Sequence, residues 1–343
     1  MCQKEMRPKA IGLLSGGLDS VLAIKLVMEQ GIEVVALNVV LPFVSRSECA
    51  GLSAEWLGVR LVERRLGEDF VDLLRNPKHG YGKAFNPCID CHLYMLKMAR
   101  ALMEKEGADF VVTGDVLKQR PKSQTQNALN VEDKWSGLKG LIVRPLSGAL
   151  LAPTEPETEG LLDRAKFLDF TGKSRKPQLE LARQIGLTAF SPPAGGCALT
   201  NREFGSKART FFSSVPYVSL QDLELLRWGR HFYVGSTHIV VGKDRKENGH
   251  ILGLREPGDV LFRASDVGSP IVLLRGDVTT QTMLAAAQLT AAYSDTSSGE
   301  VARVKYFGAG LRGSVAVEQS AGEQGPINGQ KGIPARESPV LVG

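Results

Sequence analysis

The stretch "KAIGLLSGGLDSVLAIKLVMEQG", from Lys9 to Gly31, restricts the fold more than any other part of the chain. "KAIGLL" is an apolar run of strand length. Two glycines follow almost at once, and "DSVLAIKLVMEQG" then reads as a helix with Gly31 as its stop. The same alternation continues downstream. "EVVALNVVLP" and "VRLVERRL" read as strands, "LYMLKMARALMEKEGA" as a helix, "DFVVTGD" as a strand ending in a polar turn, and "RKPQLELARQIGL" as a helix. Strands alternating with helices predict an α/β fold built on a doubly wound parallel sheet, with ligands at the carboxyl ends of its strands. Segments 118–136 and 147–160 are polar and carry prolines, and are expected to be loops.

The pattern changes near residue 206. "HFYVGSTHIVVGKDRKENGHILGL" has short β-rich runs broken by Gly and Asn-Gly, which predicts hairpins, and "TTQTMLAAAQLTAAYS" reads as a helix. The expected organisation is an α/β domain over 1–206, a smaller α+β domain over 207–312 and a disordered tail over 313–343, where Gly, Ser, Pro and Gln accumulate. No run reaches the ~18 apolar residues of a membrane span, and the first ten residues lack the apolar core of a signal peptide. A cytoplasmic protein with no membrane partner is therefore expected. Five cysteines are too few and too unevenly placed for a disulfide framework, so a Cys-x-x-Cys pair points to metal or redox chemistry. The net charge of +5 permits a nucleic-acid partner without requiring one.

"SGGLDS" spans Ser15 to Ser20. Gly16 and Gly17 allow backbone N–H groups to crowd around an anion, and the following helix N-terminus adds a favourable dipole. Ser15 and Ser20 supply hydroxyls, and Asp19 could place Mg²⁺. The bland alternative is a strand–helix turn that merely uses glycine. The string lacks the spacing of both the G-x-x-x-x-G-K-[ST] loop and the G-x-G-x-x-G fingerprint. It resembles the pyrophosphate loop of the PP-loop (adenine nucleotide alpha-hydrolase) ATPases, which cleave ATP between the α and β phosphates and attach AMP to a carbonyl oxygen.

Within that resemblance "NPCIDCH" (Asn86–His92) becomes discriminating. A similar Asn-Pro-Cys-x-x-Cys occurs in tRNA 2-thiouridylases. "TGDVLKQRPKSQ", "RPLS" and "SPPAGGCALT" resemble short proteins related to the tRNA 4-thiouridine synthetase, in which a PP-loop domain precedes an NFACT-R-like domain. The resemblance covers most of 8–205 and continues more weakly through "GRHFYVGSTHIVVGKDRKEN". It implies ATP and Mg²⁺ as cofactors, tRNA as partner, and sulfide or a cysteine desulfurase persulfide as sulfur donor. It departs from the full-length synthetase in leaving no room for a THUMP domain before Ser15. Three readings of Cys88, Cys91 and Cys197 stay open: a [4Fe–4S] cluster on all three, a persulfide relay needing an accessible low-pKa thiolate, or zinc with His92 as fourth ligand. Packed, inert cysteines are the plain alternative. Cys2 and Cys49 have no motif around them.

Asp115 ends a strand and could face the nucleotide or Mg²⁺, or simply cap a turn. Asn38 lies in the second strand, where PP-loop proteins contact adenine. Lys118 is assigned to the ATP phosphates, and Arg120 and Lys122 to RNA, against a merely solvated charge run. Lys173, Arg175 and Lys176 form the basic patch nearest the third cysteine. In the C-terminal domain Arg230, Lys243 and Arg245 stand among Trp228, Phe232 and Tyr233, a basic–aromatic mixture suited to RNA. The expected activity is ATP-dependent thiolation of a tRNA uridine. The alternatives are a PP-loop amide ligase acting on a small acid and a non-catalytic RNA-binding module that senses ATP.

Overall fold

The computed structural model describes residues 7–44, 47–187, 190 and 196–319. Cys2, the Ser191–Gly195 part of "SPPAGGCALT", and the expected tail from 320 onward lie outside the described residues. The chain divides into two compact units, Met1–Arg202 and Glu203–Gly343.

In the first unit the elements are β1 (Lys9–Leu13), α1 (Leu18–Met28), β2 (Glu33–Val40), α2 (Ser47–Leu57), β3 (Arg60–Arg65), α3 (Asp69–Arg75), α4 (Cys88–Glu106), β4 (Phe110–Val112), α5 (Gln126–Trp135), β5 (Ile142–Val143), α6 (Glu155–Thr158) and α7 (Lys176–Gln184). The five strands form one parallel sheet in the order β3-β2-β1-β4-β5. β2 is apolar along most of its length because both faces of a parallel sheet are covered. One face packs on α1, α2 and α7 through Leu18, Ala54 and Ala182. The other packs on α4 through Leu96, Ala99 and Leu102. The order reverses between β1 and β4, so a crevice opens there at the strand carboxyl ends.

Two expected loops contain helices. Within 118–136, α5 is capped by Thr125, whose side chain accepts from the Ala128 N–H at 3.2 Å. Its inward residues Ala128, Leu129 and Glu132 are only two apolar positions and one acid, too thin a pattern to show in the sequence. Within 147–160, α6 forms behind a Thr154–Glu157 capping box.

The second unit contains α8 (Arg202–Ser214), α9 (Leu220–Leu225), β6 (Arg230–Val234), β7 (Thr237–Val241), α10 (Arg245–Gly253), β8 (Val260–Ala264), β9 (Val272–Arg275), α11 (Thr280–Ala292), β10 (Val301–Gly308) and β11 (Leu311–Glu318). Its antiparallel sheet has the order β11-β10-β8-β9-β7-β6. α11 covers one face through Ala285, Ala286 and Ala287. The expected β6–β7 hairpin is present. Asn248-Gly249, however, lies inside α10 rather than in a turn. Asn248 Oδ1 accepts from the Ile271 N–H at 3.0 Å, which pins that helix to the sheet. The expected tail also starts too early: residues 313–318 belong to β11. "SVAVE" alternates, Val317 is buried, and β11 pairs with β10 along its full length. Ala309 and Gly310, both at positive φ, form the tight turn between those strands.

Gly114 shows how closely β4 approaches α1. A Cβ at this position would lie 2.6 Å from the backbone of Asp19 and Ser20. Gly114→Ala is expected to destabilise the first unit by about 1–3 kcal/mol by overpacking, read as a lower urea midpoint for that unit's transition.

Candidate active site

A cavity of about 510 Å³ occupies the crevice at the carboxyl ends of β1, β2 and β4, and every residue lining it belongs to the first unit. Its volume suits a nucleotide-sized ligand. Ser15, Gly17, Asp19 and Ser20 line one wall, and Cys88, Cys91 and Cys197 another. Asn38, Asp115, Arg120 and Arg175 also line it.

The "SGGLDS" turn is held by its own hydroxyls. Ser20 Oγ donates to the Gly17 carbonyl at 2.8 Å and lies 3.3 Å from the Ser15 N–H. Gly17 caps α1 without any side-chain hydrogen bond, so no side chain competes for the first N–H groups of the helix. Gly16 has a different task from the expected one. It does not line the cavity. At φ +72, it packs on the backbone of Cys49 and Ala50, where a Cβ would clash at 2.5 Å. Asp19 Oδ2 accepts from Gln119 Nε2 at 2.7 Å, Gln178 holds Gln119 at 2.8 Å, and Arg175 stands 3.7 Å from Oδ1. Asp19 Oδ1 is buried without a hydrogen-bond partner.

"PCIDC" forms the start of α4, so Cys88 and Cys91 fall one turn apart on one face of that helix. Asp90, between them, turns away and accepts from the His79 N–H at 2.9 Å. Asn86 Nδ2 donates to Cys88 Sγ at 3.1 Å. The segment carrying Cys197 is tied back by two backbone bonds, from the Ala198 N–H to the Phe43 carbonyl at 3.0 Å and from the Phe85 N–H to the Leu199 carbonyl at 3.3 Å. The three thiols are free and close enough to act on one another. Burial, then Cys197 and Cys88, push the Cys91 thiol far up. Burial first, with Cys88 adding, pushes Cys197 up to about 11. A thiolate at either position therefore requires a compensating positive charge.

Behind the cysteines lies a buried charge network that the sequence did not reveal. His92 Nδ1 is 3.2 Å from Glu132 Oε1 and 3.9 Å from Asp115 Oδ1. Arg144 reaches Asp115 at 3.7 Å, Glu132 at 3.4 Å and Asp133 at 2.9 Å. Asp115 also accepts from Thr113 at 2.8 Å and from Gln124 at 2.9 Å. Both its oxygens are thus engaged, and it serves the network before any nucleotide or Mg²⁺. Burial pushes Asp115 up, but His92 and then Arg144 hold its carboxyl below the ordinary range. Burial lowers His92, yet Glu132 and Asp115 outweigh it and raise the imidazole to about 9. His92 Nδ1 is thus engaged by Glu132, while the ring lines the cavity. Although His92, Asp115 and Glu132 could in principle surround a metal, Arg144 already neutralises them.

Asn38 is buried and donates to Glu63 at 3.3 Å. Lys118, expected at the phosphates, is exposed and does not line the cavity. It occupies a left-handed turn, φ 63, that sends its N–H to the Gln124 carbonyl. Lys122 Nζ donates to the His79 carbonyl at 3.1 Å. Arg120 and Arg175, expected to meet RNA, line the cavity itself, whereas Lys173 and Lys176 are exposed. Arg230 stacks over Tyr293, while Lys243 and Arg245 are exposed in the second unit.

Residues 6–150 match the family described as thiamine biosynthesis protein (ThiI), and residues 229–324 match the NFACT protein RNA binding domain. The N-terminal part of the chain is thus similar to ThiI proteins and the C-terminal part to NFACT RNA-binding domains. It is 28% identical to a probable tRNA sulfurtransferase of Thermococcus kodakarensis, over 50% of this chain and 44% of that protein. It is 33% identical to the tRNA-specific 2-thiouridylase MnmA of Clostridium acetobutylicum, over 54% of each chain. The chain thus spans about half the length of the curated relatives it matches. Among solved structures, a 4-thiouridine synthetase–RNA complex with bound ATP aligns at 20% identity and a TM-score of 0.38, over 57% of this chain and 46% of that one. No helix among the described residues is long and apolar enough to cross a membrane.

The raised His92 value fixes a pH dependence. An imidazole lifted from 6.5 to about 9 contributes stability that is complete below about pH 6.5 and is lost as pH rises through about 9. The thermal midpoint of the first unit is expected to fall across that window, and Glu132→Gln should remove most of the slope. An equal slope in wild type and variant would assign the loss to another group.

Proposed function

We propose that this chain is an ATP-dependent tRNA sulfurtransferase that adenylates a uridine carbonyl and replaces its oxygen with sulfur. The observation that carries the reading is that "SGGLDS" and all three cysteines line one cavity. A small-molecule amide ligase has no use for three converging thiols.

ATP lies with its pyrophosphate on the Ser15–Ser20 turn, where the helix N-terminus and the Ser15 and Ser20 hydroxyls stabilise charge on the departing group. Asp19 Oδ1, buried and without a hydrogen bond, suits Mg²⁺. The uridine oxygen bonds to the α-phosphorus as the α–β bond breaks, releasing pyrophosphate. A sulfur nucleophile then adds at the activated carbon, and the C–O bond breaks to release AMP. Arg120 and Arg175 place positive charge beside both steps. Cys88, Cys91 and Cys197 fit a [4Fe–4S] cluster, since three cysteine sulfurs line one cavity and the positive charge of a cluster would favour their ionised form. Such a cluster, when bound, supplies an iron without a protein ligand on which exogenous sulfide can be held. The second unit supplies tRNA affinity through phosphate contacts and stacking.

Two sets of variants test this reading. Asp19→Ala and Ser15→Ala are expected to lower tRNA-dependent pyrophosphate release by about 10²-fold or more, with the fold retained by circular dichroism. Serine at any one of Cys88, Cys91 or Cys197 is expected to abolish thionucleoside formation, measured by mass spectrometry of digested tRNA, while Cys49→Ser remains active. Anaerobically purified protein should carry about four irons per chain. Colourless, iron-free protein that still thiolates would replace the cluster with a relay. Pyrophosphate release that survives both loop substitutions would remove the nucleotide site.

A further inference from the structure

The second unit contains a polar cluster that no part of the thiolation chemistry uses. β6 is the edge strand of its sheet. Tyr233 on β6 pairs directly with His238 on β7, so both side chains point to the same face, and His231, two residues before Tyr233, joins them. This is the face opposite Phe232, Ile239 and Val241, which pack toward α11. His231 Nδ1 and His238 Nε2 are 2.8 Å apart. Tyr233 stacks on His238 with ring centroids 5.2 Å apart, and Phe211 of α8 packs on the same imidazole at 5.2 Å.

The polar atoms of this cluster are not satisfied from within the chain. Tyr233 Oη, His238 Nδ1 and His231 Nε2 are all buried without a hydrogen-bond partner, although His238 is only 1% exposed. Two neutral imidazoles joined by one hydrogen bond leave one outward N–H and one outward lone pair, whichever tautomer they adopt. Both are neutral here. Burial, then His238 and Lys207, hold His231 well below its ordinary value, with the Trp228 backbone opposing. Burial above all brings His238 down to about 3. Orphaned buried groups of this kind are costly and call for a ligand or water.

The charge around the cluster selects the ligand. Lys207 on α8 is half-buried, and burial together with the neighbouring Lys243 lowers it to about 8. Among the described residues neither lysine forms an ion pair. Glu203 and Glu247 act on Lys207 only from beyond salt-bridge distance, and Glu247 already accepts from the Gly229 and Lys243 backbone N–H groups at 3.0 and 3.1 Å. Two ammonium groups without an ion pair, Lys207 lying over the Phe204 ring at 4.8 Å, stand near the imidazoles and are a donor set for an oxyanion.

We propose that His231, Tyr233, His238 and Lys207, with Lys243 at the rim, form an anion site that holds a phosphate group of bound RNA. Its assignment to RNA rests on the tRNA-binding reading of this unit. A phosphate there takes hydrogen bonds from Tyr233 Oη and the outward imidazole N–H and neutralises the two lysines.

The test uses the full chain with two probes, a tRNA transcript and inorganic phosphate. Lys207→Gln is expected to weaken tRNA binding severalfold and to reduce the salt slope by about one. Tyr233→Phe, which removes only an unpartnered hydroxyl, should also weaken binding severalfold without loss of thermal stability, whereas a merely structural hydroxyl would leave binding unchanged. Millimolar inorganic phosphate should shift the His231 and His238 imidazole ¹⁵N signals saturably in wild type and not in Lys207→Gln. Unchanged tRNA affinity and slope in both variants, with phosphate still shifting the imidazoles, would keep the anion site and overturn RNA as its source. Imidazole signals indifferent to phosphate, together with unchanged tRNA binding, would overturn the site itself. If wild type binds no tRNA at low salt, the RNA reading of the unit fails, and the phosphate titration alone decides the anion site.

Discussion

A buried charge network joins segments of the first unit that lie far apart in the chain, directly behind the cavity. Arg144 follows β5, Asp115 follows β4, His92 is on α4, and Glu132 and Asp133 are on α5. Two cations and three carboxylates therefore tie together four segments that the sheet alone does not align. Removing one member leaves an unpaired buried charge, the case in which a buried ion pair costs most to break, about 3–5 kcal/mol. The network also sets the rotation of α4, since His92 directly follows Cys91. With His92 turned into the network and Asp90 holding the His79 segment, the sulfur-bearing edge of the helix remains facing the cavity.

The cavity is built by convergence from segments far apart in the chain. Ser15–Ser20 follows β1, Asn38 lies near the end of β2, Asp115 follows β4, and Cys197 comes after α7. A parallel sheet gathers such segments at one edge, because each crossover returns the chain to the same side. Close packing sharpens the result. Gly16 lets the phosphate turn rest on the α2 backbone, and Gly114 lets β4's turn rest on the start of α1. Neither glycine needs to touch a ligand to place the groups that do.

Most of the framework could be read from the sequence, and the exceptions have physical causes. β1, β2 and β4 announce themselves because buried parallel strands are continuously apolar, and "SGGLDS" does so because its residue types are constrained by the turn. α5 is concealed because it buries an acid where an apolar residue would ordinarily mark the inward face. Asn248-Gly249 imitates a turn because the side chain that favours turns is instead bonded to the Ile271 N–H. Glu132, Gln119 and Gln178 carry no local signal, since a buried glutamate or glutamine looks like a surface one until its partner, dozens of residues away, is in place. Lys118 failed for the opposite reason: its charge attracted a role, while its position is set by backbone conformation.

The two backbone bonds that anchor the Cys197 segment have a consequence for biosynthesis. Cys88 and Cys91 leave the ribosome about a hundred residues before Cys197, a delay of roughly 5–20 s at ordinary rates of translation. Until residues 197–199 have been synthesised, the wall completed by the Ala198–Phe43 and Leu199–Phe85 bonds cannot form. The order of synthesis therefore makes the Cys197 segment the last part of that wall to be put in place.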